Sequence, residues 1–110
     1  MNDDRENLRF IAQCIDHVDR YVDGNHERFA ADEMVQDAVL RRLEILSDAC
    51  GRLSEQLRER HPLVPWSGVT GFRNVLAHAY HRVDVERAWS VVVKGLPLLR
   101  EVITAELEDG

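Results

Sequence analysis

The chain has 110 residues, so we expect one domain, residues 1–110, that buries a core without disulfides or a structural metal. Its apolar fraction of 45% and charged fraction of 31% are ordinary for a globular protein, and no apolar stretch approaches the length of a membrane span. The net charge of −6 argues against broad, nonspecific binding to nucleic acid.

Apolar residues recur at spacings of three and four along most of the chain, which predicts helices and no strands. A first helix is predicted over residues 3–21, and the turn-forming sequence Asp23-Gly24-Asn25 ends it. A short helix over residues 27–30 and a long helix over residues 32–60 follow. Gly51 lies inside the long helix, where we expect it to permit close helix packing rather than to mark an end.

Two prolines, Pro62 and Pro65, end the long helix, because each disfavours helical backbone in the residue before it. A fourth helix is predicted over residues 66–80. The last helix covers residues 84–107, with Asp84 as its N-cap and a kink at Pro97. The predicted fold is therefore an all-α bundle of four main helices plus one short helix.

The beginning of the chain is charged and does not read as a signal peptide, so we expect a cytoplasmic protein that makes no contact with a membrane. Cys14 and Cys50 each lie among apolar neighbours, which predicts two buried free thiols. His17, His26 and His61 have no metal-ligand spacing to one another. We predict neither a metal site nor a cofactor.

Acidic residues are absent between Glu59 and Asp84. This segment is therefore the part of the chain where a positive potential could attract a phosphate ligand. The basic and imidazole side chains within the gap include His61, Arg73, His78, His81 and Arg82.

Four polar residues with catalytic potential, Arg73, Asn74, His78 and Tyr80, fall within eight positions of the predicted fourth helix. Each helical residue advances about 100°, so Asn74 and His78 share one face while Arg73 and Tyr80 share another. Asn74 is therefore expected to hydrogen-bond His78 and to set its tautomer.

Such a set suits RNA cleavage without a metal. The imidazole of His78 can move protons near neutral pH, and the guanidinium of Arg73 can hold a phosphate in a bidentate fork. A two-fold dimer would bring two such pairs to one site. The same residues can also stand together by chance on a surface helix without any catalytic role.

Residues 73–80 resemble the defining pattern of the HEPN superfamily, an Arg and a His separated by four to six residues. The closest resemblance is to the HepT group, whose pattern Arg-Asn-x-x-x-His-x-Tyr is matched by Arg73, Asn74, His78 and Tyr80. The similarity extends over almost the whole chain and includes Asp3-Asp4-Arg5, Gln36-Asp37-Ala38-Val39, Leu43-Glu44, His61-Pro62, Pro65-Trp66, Val83-Asp84 and Leu96-Pro97.

This resemblance implies a HEPN-type helical bundle that forms a homodimer, with a composite ribonuclease site at the dimer interface. It implies a metal-independent endoribonuclease, the toxin of a type VII toxin–antitoxin system, with tRNA among its candidate substrates. Arg73 and His78 would be catalytic and Asn74 supporting. The implied partner is an MntA-type nucleotidyltransferase antitoxin, which would transfer AMP to Tyr80. The added anion would then occupy the phosphate site beside Arg73.

Further candidate RNA contacts are Arg41, Arg42, His81 and Arg82. Arg42 stands where members of the family often have Asn, and it would add positive charge if it faced the cleft. The alternative function is a non-catalytic helical dimer that binds a nucleotidyltransferase partner or a nucleotide.

Overall fold

The helices of the computed structural model, which describes residues 3–108, account for all of the regular structure in that range. They are α1 (Asp4–Val22), α2 (His26–Ala31), α3 (Glu33–Gly51), α4 (Glu55–Arg60), α5 (Trp66–His78), a 3₁₀ turn (Tyr80–Arg82), α6 (Val85–Ser90), a π-helical segment (Val91–Gly95) and α7 (Leu96–Glu108). The predicted all-α fold is confirmed.

Side-chain caps explain why most of these helices begin where they do. In five cases an Asp, Asn or Ser side chain accepts hydrogen bonds from the backbone N–H groups of the first turn, which have no partner within the helix. The capping residues are Asp3, Asn25, Asp32, Ser54 and Asp84. The predicted turn after the first helix is also present, with positive φ angles at Asp23 and Gly24.

The central helix of the bundle is α3, which packs against α1 and α5, while α7 packs against α1. Its inward face meets the apolar stripes of its neighbours, and the largest fully buried side chains include Ile11, Phe29, Leu43, Leu76 and Leu96. None of the described helices is both long and apolar enough to cross a membrane. Packing against this core gives α3 and α5 a fixed relative position, which decides the geometry of the site described below.

The two cysteines are buried free thiols, as predicted. Burial raises the pKa of the Cys14 thiol, and it raises the pKa of the Cys50 thiol to about 12. Both side chains therefore act as small apolar core residues rather than as nucleophiles.

The prediction of one long helix over residues 32–60 is wrong, because α3 ends at Gly51 and α4 begins after Ser54. Ser54 caps α4 by accepting the N–H of Leu57 at 3.2 Å, and its own N–H and Oγ donate to the Asp4 carboxylate at 2.8 and 2.6 Å. A Cβ added at Gly51 would meet nothing within 4 Å, so the glycine permits no close approach. It marks the end of the helix instead.

The last predicted helix is interrupted by the π-helical segment, which ends two residues before Pro97. Leu96 donates its N–H to the carbonyl of Val91, five residues earlier, which makes a wider turn. Proline has no N–H to donate, and its ring would clash with the carbonyl four residues before it in a regular helix. The wider turn relieves that conflict.

A cluster of charged side chains ties α4 to α7. The carboxylate of Glu106 accepts from Arg60 Nη2 at 2.7 Å and from His61 Nε2 at 2.6 Å. The hydrogen bond from Arg60, more than that from His61, lowers the pKa of Glu106 to about 2. The carboxylate is mostly buried, with 17% of its side chain exposed.

Glu106→Gln is expected to lower the free energy of unfolding at pH 7 by about 2 kcal/mol. This value is smaller than the full pKa shift implies, because solvent screens the interaction with the exposed Arg60 side chain. Because folding depresses the pKa of Glu106, the stabilisation is fully present above pH 4.5 and is lost as the pH falls toward 2. Urea unfolding at several pH values would measure this. Glu101→Gln, an exposed position on α7, is the matched control, and an equal loss in both variants would contradict the prediction.

Candidate active site

The site is built on α5, whose inner face is apolar and whose outer face is polar. Phe72 and Leu76 are buried against the core, and the Trp66 indole donates to the carbonyls of Arg58 and His61, both at 3.0 Å. These contacts fix the rotation of the helix about its axis. Asn74 and His78 are consequently exposed on the side turned away from the core.

Arg73 lies at the edge of that outer face and reaches toward α3. Its Nη2 forms an ion pair with Asp48 Oδ1 at 3.3 Å, and its Nη1 donates to Asn74 Oδ1 at 3.2 Å. The Arg73 side chain is 37% exposed, so an approaching anion can reach it. Asn74 therefore orients the arginine in the free chain.

The hydrogen bond predicted between Asn74 and His78 is not formed. The amide oxygen of Asn74 accepts from Arg73 instead, and the His78 side chain has no hydrogen bond or ion pair within residues 3–108. The imidazole stands exposed at the last position of α5. Its ring is free to meet a substrate or a second chain.

Tyr80 lies outside α5, although the predicted fourth helix included it. α5 ends at His78, and Tyr80 opens the 3₁₀ turn, so Arg73 and Tyr80 do not share a helical face. The Tyr80 hydroxyl donates to Asp37 Oδ1 at 3.1 Å. Partial burial, followed by the hydrogen bond to Asp37, raises the pKa of Tyr80, whose side chain remains 40% exposed.

An acidic stripe on α3 faces these groups. Asp37, Glu44 and Asp48 are spaced by seven and four residues, which places them on one face of the helix. Asp37 accepts from the tyrosine at one end and Asp48 pairs with the arginine at the other. Sequence reasoning missed Asp37, although the spacing of seven to Glu44 was a signal available to it.

The four candidate RNA contacts lie in two different places. Arg41 pairs with Glu44 at 3.5 Å and stays beside the acidic stripe, and His81 and Arg82 are exposed in the turn that holds Tyr80. Arg42 lies apart from this group, beside Tyr21 and Cys14 of α1, and its interaction with Tyr21 raises the pKa of the guanidinium. Its role as an RNA contact stays a prediction.

Two cavities flank α5. The smaller, about 270 Å³, contains Arg73 and is lined by Ser47, Asp48, Gly51, Arg52, Thr70, Arg73 and Asn74. The larger, about 370 Å³, lies on the other side of Phe72 and is mostly apolar. Residues 3–108 contain no group of three or more His, Cys, Asp or Glu side chains that could hold a metal ion.

These features define an all-helical structure with an arginine in a polar cleft beside α5, an exposed histidine at the end of that helix and an exposed tyrosine in the turn that follows it. The profile of the family described as "Ribonuclease HepT-like" matches residues 11–106. The chain belongs to that family.

Relatives at moderate identity agree with this assignment. The "Probable ribonuclease HepT" of Thermococcus cleftensis is 32% identical over 97 residues, which cover 87% of this chain and 88% of the relative. A "Putative RNase" of Caldanaerobacter subterraneus subsp. tengcongensis is 31% identical, with 89% and 88% covered. No solved structure matches the chain.

One relative is considerably longer. The "Gamma-glutamylcyclotransferase and putative RNase" of Methanocaldococcus jannaschii is 33% identical over 103 residues, which are 93% of this chain. The chain spans only 46% of the length of that relative.

Proposed function

We propose that the protein is an endoribonuclease that cleaves single-stranded or tRNA-like RNA without a metal ion. The observation that carries the proposal is the pairing, on one exposed helix, of an accessible imidazole at His78 with an accessible guanidinium at Arg73. Membership of the ribonuclease HepT-like family supports the same reaction.

In the proposed reaction, His78 accepts the proton of a ribose 2′-hydroxyl, and the resulting oxygen attacks the adjacent phosphorus. The bond to the 5′-oxygen breaks, and a second imidazole returns a proton to that leaving oxygen. Arg73 stabilises the charge that builds up on the phosphate oxygens, and Asn74 holds the arginine in place. The products carry a 2′,3′-cyclic phosphate and a 5′-hydroxyl.

The second imidazole is best supplied by another copy of the chain. The outer face of α5 holds a single histidine, and one histidine cannot act as base and acid in the same step. We therefore propose a two-fold homodimer in which the α5 helices of the two copies meet and build one composite site.

Regulation by a nucleotidyltransferase forms the last part of the proposal. The chain would be the toxin of a type VII pair, and an MntA-type antitoxin would attach AMP to the Tyr80 hydroxyl, which is 40% exposed. Asp37 and Asp48 are 11 residues apart on α3, a separation of about 16 Å along the axis. AMP on Tyr80 would therefore act by blocking the path of the RNA, rather than by binding Arg73 of the same chain as the sequence suggested.

The decisive experiment is an RNA digestion in buffer containing a metal chelator. The intact mass must be measured first, because AMP already bound to Tyr80 would silence the protein. Unmodified protein is expected to release fragments with cyclic phosphate ends. Intact RNA after prolonged incubation of unmodified protein would reject the nuclease, and stable binding of a nucleotidyltransferase would then favour the non-catalytic dimer.

A further inference from the structure

Two arginines share a single carboxylate in the cleft beside α5. Arg52 Nη1 lies 2.7 Å from Asp48 Oδ2, and Arg73 Nη2 lies 3.3 Å from Asp48 Oδ1. The two guanidinium groups thus approach opposite oxygens of one anion, and all three side chains line the cleft of about 270 Å³. Arg52 has no part in the reaction proposed above.

The three side chains carry two positive charges and one negative charge, which leaves an excess of one positive charge in the cleft. Guanidinium forks bind the oxygens of carboxylates and of phosphates in the same geometry. The carboxylate of Asp48 therefore occupies a position that the two non-bridging oxygens of a phosphodiester could take.

An incoming phosphate would displace Asp48 easily, because ion pairs between solvent-exposed side chains are weak. The exposed fractions are 55% for Arg52, 41% for Asp48 and 37% for Arg73. Space is available as well, since a Cβ at Gly51, which lines the cleft, would meet nothing within 4 Å.

We propose that Arg52 is a second phosphate-binding residue, which together with Arg73 holds a phosphate of the substrate in the place of the Asp48 carboxylate. Asp48 is then an internal competitor that keeps both arginines in position while the cleft is empty. The inference rests on the proposed function only in taking RNA as the source of the phosphate.

The test measures binding separately from cleavage. A fluorescently labelled single-stranded RNA oligonucleotide is titrated into protein carrying His78→Ala, which leaves the RNA uncut, and Kd is determined by anisotropy at several salt concentrations. Adding Arg52→Ala is expected to raise Kd about tenfold and to reduce the slope of log K against log salt by about 0.7, the value for one phosphate of a single strand.

Asp48→Asn is expected to act in the opposite direction. It frees both guanidinium groups from their competitor while keeping the size of the side chain, so Kd should fall. Arg9→Ala is the matched control, because it removes one positive charge from an exposed position of α1 outside the cleft. Unchanged thermal unfolding of each variant would show that the fold is retained.

Equal Kd values and equal salt slopes for Arg52→Ala and Arg9→Ala would overturn the inference, as would weaker binding by Asp48→Asn. Cleavage by the protein without His78→Ala is followed in parallel. If that protein leaves the RNA intact while Arg52→Ala still weakens binding, the proposed nuclease fails and the phosphate site stands.

Discussion

Replacing His78 by Ala is expected to lower the rate of RNA cleavage by about 10²- to 10⁴-fold, the range typical for loss of a general acid–base group. The imidazole is the group proposed to move the proton of the 2′-hydroxyl, and no neighbouring side chain on α5 can replace it. A dimer would amplify the loss, because the substitution removes both the base and the acid of the composite site.

The fold should tolerate this substitution. His78 is exposed and ends α5, and its side chain has no hydrogen bond or ion pair within the described residues. Thermal unfolding of His78→Ala should therefore match that of the unsubstituted protein. Any loss of cleavage can then be assigned to chemistry rather than to stability.

His81→Ala is the matched control for this measurement. His81 is three residues further along the chain, is also exposed, and lies in the 3₁₀ turn after α5. As a candidate RNA contact it should change KM modestly and leave kcat close to its original value. Single-turnover cleavage in chelator-treated buffer distinguishes the two variants, and normal cleavage by His78→Ala would reject the proposed mechanism.

The helices could be predicted from the sequence wherever a local signal decides the structure. The apolar stripe of α1 recurs at spacings of three and four, and every one of its members, from Leu8 to Val22, is buried. Asp84 caps the helix that follows it, as predicted. Such signals depend on residues within one or two helical turns of each other, so they can be recognised without knowledge of the tertiary structure.

The sequence predictions fail, or are silent, where a contact between residues far apart in the sequence determines the structure. The break between α3 and α4 has local signals in Gly51 and the cap Ser54, but the contact of Ser54 with Asp4, 50 residues away, has none. Arg42 turns toward Tyr21 of α1 because α1 and α3 pack together. The spacing along α3 alone could not say which helix that side chain would meet.

In the candidate site, too, local spacing could be predicted from the sequence and distant contacts could not. Arg73, Asn74 and His78 could be selected from their spacing, because they stand within a turn and a half of one helix. The acidic partners of the site could not be predicted in this way. The hydrogen bond from Tyr80 to Asp37 spans 43 residues, and the ion pair between Arg73 and Asp48 joins two helices. Arg52, the residue after the last of α3, lines the cleft through the packing of α3 against α5.

The outer face of α5 also bears on how a second copy could dock. Beside Asn74 and His78 the exposed residues of α5 are small: Ser67, Gly68, Thr70, Gly71 and Ala77. Gly71 is seven residues before His78 and so lies on the same face. A Cβ at Gly71 would meet nothing within 4 Å, which leaves the space above it open in the single chain.

Gly71→Trp is therefore expected to leave the folded monomer intact, to prevent two α5 helices from approaching, and to reduce RNA cleavage to the level of His78→Ala. Gly71→Ala is the matched control, and it should raise stability by up to about 1 kcal/mol through helix propensity while keeping the dimer and its activity. Sedimentation velocity gives the oligomeric state and chelator-treated digestion gives the activity. The indole would lie one helical turn from Asn74 and two turns from His78. If a dimeric Gly71→Trp protein still cleaved RNA at the original rate, the two copies could not meet through α5. The composite site would then have to be abandoned, whereas an active monomer would require one chain to supply both acid and base.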